Sequence, residues 1–461
     1  MGIMGLFAAL FLILFAGFIV TIFYKDRLVM QLACAYPLGV GFVTLQLFFY
    51  SVFSIPFKLP LIFLPWFLVG LFLILIKFKQ ISFAGFNTKN MVERYTLFEK
   101  MLLFIIFFQI SFALINSIIL PIKGFDTWVI WFLKGKAFYM DGGVKYDFFL
   151  KELYSNGNAS YQYPLLAPLL VTLGYLALGY VDDQLVKIFF SLYYVSLLFI
   201  FYYFLLSITS REISLLLTAM LATVPRVMQQ AGIDGVGYAD LPLSVYFLIG
   251  VGFGYRYIVN ADKKALLLAV ISFSIAAWTK NEGLTMLVAA IIILSFHIFY
   301  KDKTIGIKTF FGILVITLFI ALPWQLYKYT LPELSATMVS DLSFKTFISN
   351  IGRVPFILQV ILPKLFTANK YHITWGLYVL ITIVSLRKLR SAGYLYIQTL
   401  MWFQSACYIF VYVLTPFELK GHIATSIDRL TIHLLPIGYL CVGVLWADFT
   451  GRLQRYIVKQ K

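Results

Sequence analysis

Apolar stretches long enough to cross a bilayer core of about 30 Å as helices of about 20 residues recur along almost the whole chain. They fall near residues 2–23, 32–54, 59–76, 101–120, 164–181, 186–206, 213–226, 241–258, 265–279, 284–299, 307–325, 373–387, 394–414 and 430–448. Hydrophobic residues make up 61% of the 461 and charged residues only 12%, whereas soluble domains carry about 25% charged residues. The chain is therefore expected to be an all-α polytopic membrane protein.

Lys and Arg, 37 in all, outnumber the 20 Asp and Glu. They lie in short runs between the apolar segments, as the positive-inside rule produces. This footprint argues against nucleic-acid binding, which needs a basic face on a soluble domain. The runs that begin at Lys25, Lys77, Arg256, Lys301, Arg387 and Arg452 are assigned to the cytoplasm. Residues 121–163, 227–240, the Lys280-Asn281-Glu282 corner, 326–372 and 415–429 then fall outside.

Three apolar segments separate the first two outside stretches, and parity requires an even number of crossings. The segment 213–226, short and ended by Pro225, is the one expected not to cross. That leaves about 13 crossings, with the N-terminus outside and the C-terminus inside. Residues 2–23 have no basic n-region and are followed by Lys25 and Arg27, so they are expected to be a retained helix and not a cleaved signal. Cys34, Cys407 and Cys441 sit in apolar segments with no metal-ligand or pairing spacing, and are expected to behave as buried small hydrophobes.

Two of the outside stretches carry amphipathic patterns. Trp128, Trp131, Phe132, Gly135 and Phe138 fall on one helical face with Lys134 and Lys136 pointing elsewhere, which predicts an interfacial helix lying on the membrane. Residues 341–366 alternate Phe344, Phe347, Ile348, Ile351, Phe356 and Ile357 with Lys345, Arg353 and Lys364, which predicts a second basic and apolar platform. The chain is divided accordingly into three N-terminal helices (1–100), a central membrane module (101–325), and an external loop with the last helices (326–461).

Acids cost desolvation energy at a membrane boundary unless they have a use. Asp126, Asp234, Asp240 and Glu282 all fall on the expected outer face. Asp126 in Gly124-Phe125-Asp126-Thr127-Trp128 suits either an N-cap or a general base held rigidly. Asp240, just before Leu241-Pro242, suits the cap of the next helix or a place beside a bound anion. Lys280 and Glu282 read as a neutralising pair in a turn or as site residues. Arg429 is expected at the outer mouth of the final helix, as an interfacial anchor or as a bidentate phosphate ligand. His433, one turn further, is a core histidine or a ligand-facing one.

In order, Gly124-Phe125-Asp126-Thr127-Trp128-Val129-Ile130-Trp131, Tyr163-Pro164-Leu165-Leu166, Gly237-Tyr238-Ala239-Asp240-Leu241-Pro242 and Trp278-Thr279-Lys280-Asn281-Glu282-Gly283 resemble the GT-C superfamily of membrane glycosyltransferases. The resemblance covers roughly residues 100–300 and is greatest to the bacterial branch related to protein O-mannosyltransferases and lipid A aminoarabinose transferases. It implies a GT-C-like fold and an enzyme of the cell membrane that moves a sugar from a polyprenyl-phosphate donor to an acceptor outside the cytoplasm, with inversion. By that resemblance Asp126 matches the first-external-loop base and Asp240 a second acid near the substrate. The three helices before residue 100 and the lack of a separate periplasmic domain depart from the usual arrangement. They leave open whether the acceptor is a glycan, a lipid or a protein.

Such a transfer needs cations or amides near the leaving phosphate, for which Arg429, Arg353 and Lys280 are candidates, with Asp234, Glu282 and His433 as further substrate contacts. No metal-ligand spacing is present, and a divalent metal is not indicated. The alternative is a transporter or flippase of lipid-linked sugars. That would place acids near helix midpoints and give a two-fold repeat, whereas here the acids cluster at helix ends and no repeat is visible.

Overall fold

The computed structural model of the chain describes residues 2–24, 28–77, 95–145, 162–301, 303–331, 344–384 and 391–451. All regular structure among them is helical, as required where backbone groups in hydrocarbon must bond within their own segment. Among the described residues ten helices are long and apolar enough to cross a membrane, against the 13 or so expected of the whole chain. Nine coincide with expected segments.

The other four expected segments form Leu59–Lys77, Leu166–Leu178, Lys263–Thr279 and Thr374–Val384, of which the second and fourth are short, at 13 and 11 residues. Local chemistry sets one end of two of them. Gly179 takes a left-handed φ of +83° and ends the helix Leu166–Leu178, and the Asp262 side chain caps Lys264 and Ala265, fixing the start of Lys263–Thr279. The segment expected not to cross forms Arg211–Thr223, 13 residues long, which rises only about 20 Å. Pro225 starts a separate short helix, Pro225–Gly232.

The tenth crossing candidate is Lys345–Leu365, from the stretch expected to lie on the surface. A 3-10 turn at Ile351–Arg353 divides it.

Burial sorts the helices into an inner and an outer set. Asp240–Asn260 and Leu419–Phe449 have 94% and 89% of their most apolar stretches buried inside the protein, whereas Leu97–Ile119 has 17%. The outer helices therefore turn apolar faces outward, toward lipid. One continuous apolar core runs from Ala9 to Ala447 and takes residues from all three parts of the chain. The first two helices, Gly2–Thr21 and Leu28–Val52, meet through Gly17 and Gly39. A Cβ on either would stand 1.8 Å from a carbonyl oxygen of the other helix, so only glycine permits this approach.

The expected single stripe on residues 128–138 is not formed. Thr127–Phe132 is π-helical and passes into an α-helix only at Leu133–Asp141. The wider turn breaks the 3.6-residue register on which the stripe depends. Trp128 is consequently 62% exposed, whereas Trp131 and Phe132 are buried. Lys134, expected to point away, is fully buried, with its ammonium 5.9 Å from the Trp131 ring.

Burial pushes the Lys134 ammonium down to about 7. The unfolded chain therefore binds the proton more readily than the folded one between that value and the ordinary lysine range, and stability rises with pH across it. Lys134→Met is expected to raise the thermal unfolding midpoint, more at pH 6, where the wild-type lysine is charged when buried, than at pH 9. Equal gains at both pH values would show that the lysine bears no burial cost.

Candidate active site

Two loops interlock at one end of the central helices. After Leu97–Ile119 the chain runs extended to Gly124, which lies against Tyr238 and the Asp234 carbonyl. Thr127 Oγ1 donates to the Val236 carbonyl at 2.9 Å. Gly237, at φ +98°, packs against Thr127 and Phe132 where a side chain would clash. The glycines at 124 and 237 thus bring Asp126 and the Asp234–Asp240 turn together.

Asp126 lies in the first turn of its helix but caps nothing; its carboxylate pairs with the Arg429 guanidinium. The guanidinium also stands 5.7 Å from the Tyr238 ring. Burial, with Asp126 adding to it, raises the Tyr238 phenol above its ordinary value. An open cavity of about 540 Å³ adjoins this pair, lined among others by Lys123, Asp126, Arg226, Asp234, Asp428 and Arg429. Asp234 pairs loosely with Lys123 at 3.9 Å, both half exposed.

A second, buried centre lies behind the first. Asp240 Oδ1 accepts from Lys280 Nζ at 2.7 Å and from His433 Nε2 at 2.8 Å. Lys280 also reaches Glu282 Oε1 at 3.0 Å, and its ammonium lies 5.7 Å from the Tyr163 ring. Tyr408 OH bonds His433 Nδ1 at 2.8 Å. An ionised Asp240 can only accept, so His433 carries its proton on Nε2 and, when neutral, takes one from Tyr408 on Nδ1. Burial, with Glu282 adding to it, pushes the Tyr163 phenol up to about 12, so it remains a donor.

Neither acid is the helix cap that its position in the sequence allows. Asp240 stands inside the first turn with no capping bond, its side chain turned to Lys280 and His433. Lys280 and Glu282 do pair, but Asp240 shares the lysine. Arg429 does not precede the final helix. Glu418 caps Lys420 and Gly421, so that helix is Leu419–Phe449, 31 residues long, and Arg429 sits ten residues inside it. Glu is a weak signal for a cap, which hid the true start.

Arg353 is not among the residues lining the cavity; its guanidinium donates to the carbonyls of Val413 and Thr415 at 3.3 and 3.1 Å. Sequence reading missed Arg226, Asp428, Lys370, Tyr371 and Tyr408. Asp428 receives Arg226, Lys370 at 2.9 Å and the Tyr371 hydroxyl at 2.9 Å. Its position beside Arg429 was the one available signal. Among the described residues no three His, Cys, Asp or Glu side chains converge as a metal site.

No protein-family model matches the chain, and no curated protein matches it significantly.

The Lys280 side chain is 5% exposed and Asp240 3%. Removing one partner of such a pair leaves an uncompensated buried charge, so Lys280→Met is expected to cost about 3–5 kcal/mol of stability. Glu282→Gln, at a carboxylate 20% exposed, is expected to cost less, because Lys280 keeps Asp240 as its partner. Thermal unfolding in detergent measures both. A smaller loss for Lys280→Met than for Glu282→Gln would displace Asp240 as the lysine's principal partner.

Proposed function

We propose that the protein transfers a sugar from a polyprenyl-phosphate donor to an acceptor hydroxyl, on a glycan, lipid or protein, at the extracytoplasmic face of the cell membrane. The observation that carries this reading is the Asp126–Arg429 pair on the wall of an open cavity. One carboxylate and one guanidinium are the two groups an inverting transfer from a phosphate needs, a base for the acceptor and a cation for the leaving group. The GT-C-like motifs around Asp126 and Asp240 support it, and that fold is part of the same proposal.

The pairing of the two groups suggests how the reaction is ordered. A donor phosphate competes with Asp126 for the Arg429 fork, which binds phosphate bidentately. Once displaced, the carboxylate is free to take the proton from the acceptor oxygen. That oxygen forms its bond to the anomeric carbon from the side opposite the phosphate. The carbon–oxygen bond to phosphate breaks, and the electron pair leaves with the phosphate beside Arg429. Asp240, held by Lys280 and His433, keeps the wall behind this site fixed.

Asp126→Asn keeps the size of the side chain and cannot take the proton. It is expected to lower sugar transfer by about 10² to 10⁴-fold in a membrane assay with polyprenyl-phosphate sugar, with the protein still folded. Near-full turnover would reduce Asp126 to a structural partner of Arg429, whereas no sugar transfer by the unaltered protein would let the transporter reading lead.

The side of the membrane is tested separately. Thr127 and Gly237 are buried, so Phe125, 63% exposed, is the position to label. Phe125→Cys with Cys407→Ala is expected to react with an impermeant thiol reagent in intact cells. Reaction only after permeabilisation would reverse the orientation and move the chemistry to the cytoplasmic face.

A further inference from the structure

The short helix Pro225–Gly232 carries two buried polar atoms that find no hydrogen-bond partner among the described residues. Gln230 is 4% exposed, and its Oε1 accepts from no donor. One turn earlier, Arg226 gives its two terminal nitrogens to Gln229 Oε1 and Asp428 Oδ2, and its Nε–H donates to nothing among them. A buried donor or acceptor left unmade costs stability, and such groups are rare enough in folded proteins to call for a reason.

Both residues line the open cavity of about 540 Å³ that Asp126 and Arg429 border. Residues four apart share a helix face, so the unmade donor and the unmade acceptor belong to one strip of the cavity wall. The Gln230 amide turns about a broad terminal torsion and can present Oε1 to a ligand there. An ionised phosphate only accepts, an ammonium only donates, and a hydrocarbon chain does neither. A hydroxyl donates and accepts through one oxygen and suits the two groups together.

The strip also adjoins the arginine proposed to hold the phosphate, because Arg226 bonds Asp428, the residue before Arg429. The hydroxyl-bearing group joined directly to a phosphate held there is a sugar. Gln229, Tyr238 and Thr425 add uncharged polar groups to the same wall, as a site for a polyol needs.

We propose that Gln230 Oε1 and Arg226 Nε together hold one hydroxyl of the sugar on the polyprenyl-phosphate donor, and so help to determine which sugar the protein accepts. The inference rests on the donor chemistry proposed above and adds the sugar end of the site, with the phosphate at Arg429 and the ring along Pro225–Gly232. Oε1 accepts from the hydroxyl, and the hydroxyl oxygen accepts from Nε–H. A sugar that lacks this hydroxyl leaves both groups unpaired, and sites built on such bonds discriminate strongly. The contact is one of binding, and no proton or leaving group moves through it.

The full chain in phosphatidylcholine nanodiscs is titrated with polyprenyl phosphate and with polyprenyl-phosphate glucose, mannose, galactose and arabinose, with bound species read by native mass spectrometry. Gln230→Met keeps the length of the side chain and removes both amide atoms. It is expected to lower affinity for the tightest sugar lipid by about tenfold or more, and for the bare carrier by less than about threefold. Monodeoxy analogues of that sugar lipid supply a measurement on the unaltered protein. One of them is expected to bind about tenfold more weakly than its parent there, and within about threefold of its parent in Gln230→Met, where the partner is already gone.

Equal loss of both kinds of lipid in Gln230→Met would mark the residue as structural and overturn the assignment. Unchanged sugar-lipid affinity in that variant, or deoxy analogues that all bind the unaltered protein like their parent, would do the same while leaving the donor reading in place. Binding of none of the sugar lipids by the unaltered protein would overturn the donor reading, and this inference with it.

Discussion

The Lys280 ammonium, buried between Asp240 and Glu282, is the contact on which the arrangement of this end of the bundle depends. It belongs to the junction of Lys263–Thr279 with Asn281–Lys301, Asp240 to the start of the innermost helix, and His433, bound to the same carboxylate oxygen, to Leu419–Phe449. Taking any of these charges out of water alone costs several kcal/mol. Together they are stable only while the helices that carry them stay in register. The cluster therefore selects one packing of the bundle over others of equal apolar burial, which lipid-like side chains cannot do by themselves.

Two charged layers result. The buried layer is closed, with Asp240, Lys280 and His433 each satisfied by another member or by Tyr408. The outer layer is open, and its carboxylates Asp126 and Asp428 hold their cations at the wall of a cavity. Partners in the closed layer are worth most to stability and least to binding, because a ligand would have to break them. In the open layer the order is reversed, since an anion can replace a carboxylate on the same guanidinium with little loss. This is why the functional reading rests on Asp126 and Arg429.

Much of this was legible in the sequence. Apolar length and charge spacing identified nine of the ten helices long enough to cross, and the acids at helix ends marked the site region. Helix ends were read less well where the signal is local and weak. The Glu418 cap moved the start of the last helix by eleven residues relative to the expected 430, and the left-handed Gly179 shortened another helix. The π-helical turn at Thr127–Phe132 has no periodic signature, so a stripe drawn at 3.6 residues per turn misassigned Lys134. The Asp428 cluster was missed because it gathers Arg226, Lys370 and Tyr371 from distant parts of the chain. No spacing within a single segment encodes that.

The long last helix has a mechanical consequence. It carries Asp428, Arg429 and His433 within two turns, and Pro436 follows immediately. A proline inside a helix leaves the carbonyl four residues earlier without its amide partner and weakens the ladder there. The stretch from Leu419 to Leu435 is thus a stiff lever with its compliant point next to the buried charges. A tilt at its outer end moves the partner of Asp126 and the imidazole on Asp240 in the same stroke, so the open and the buried charged layers shift together.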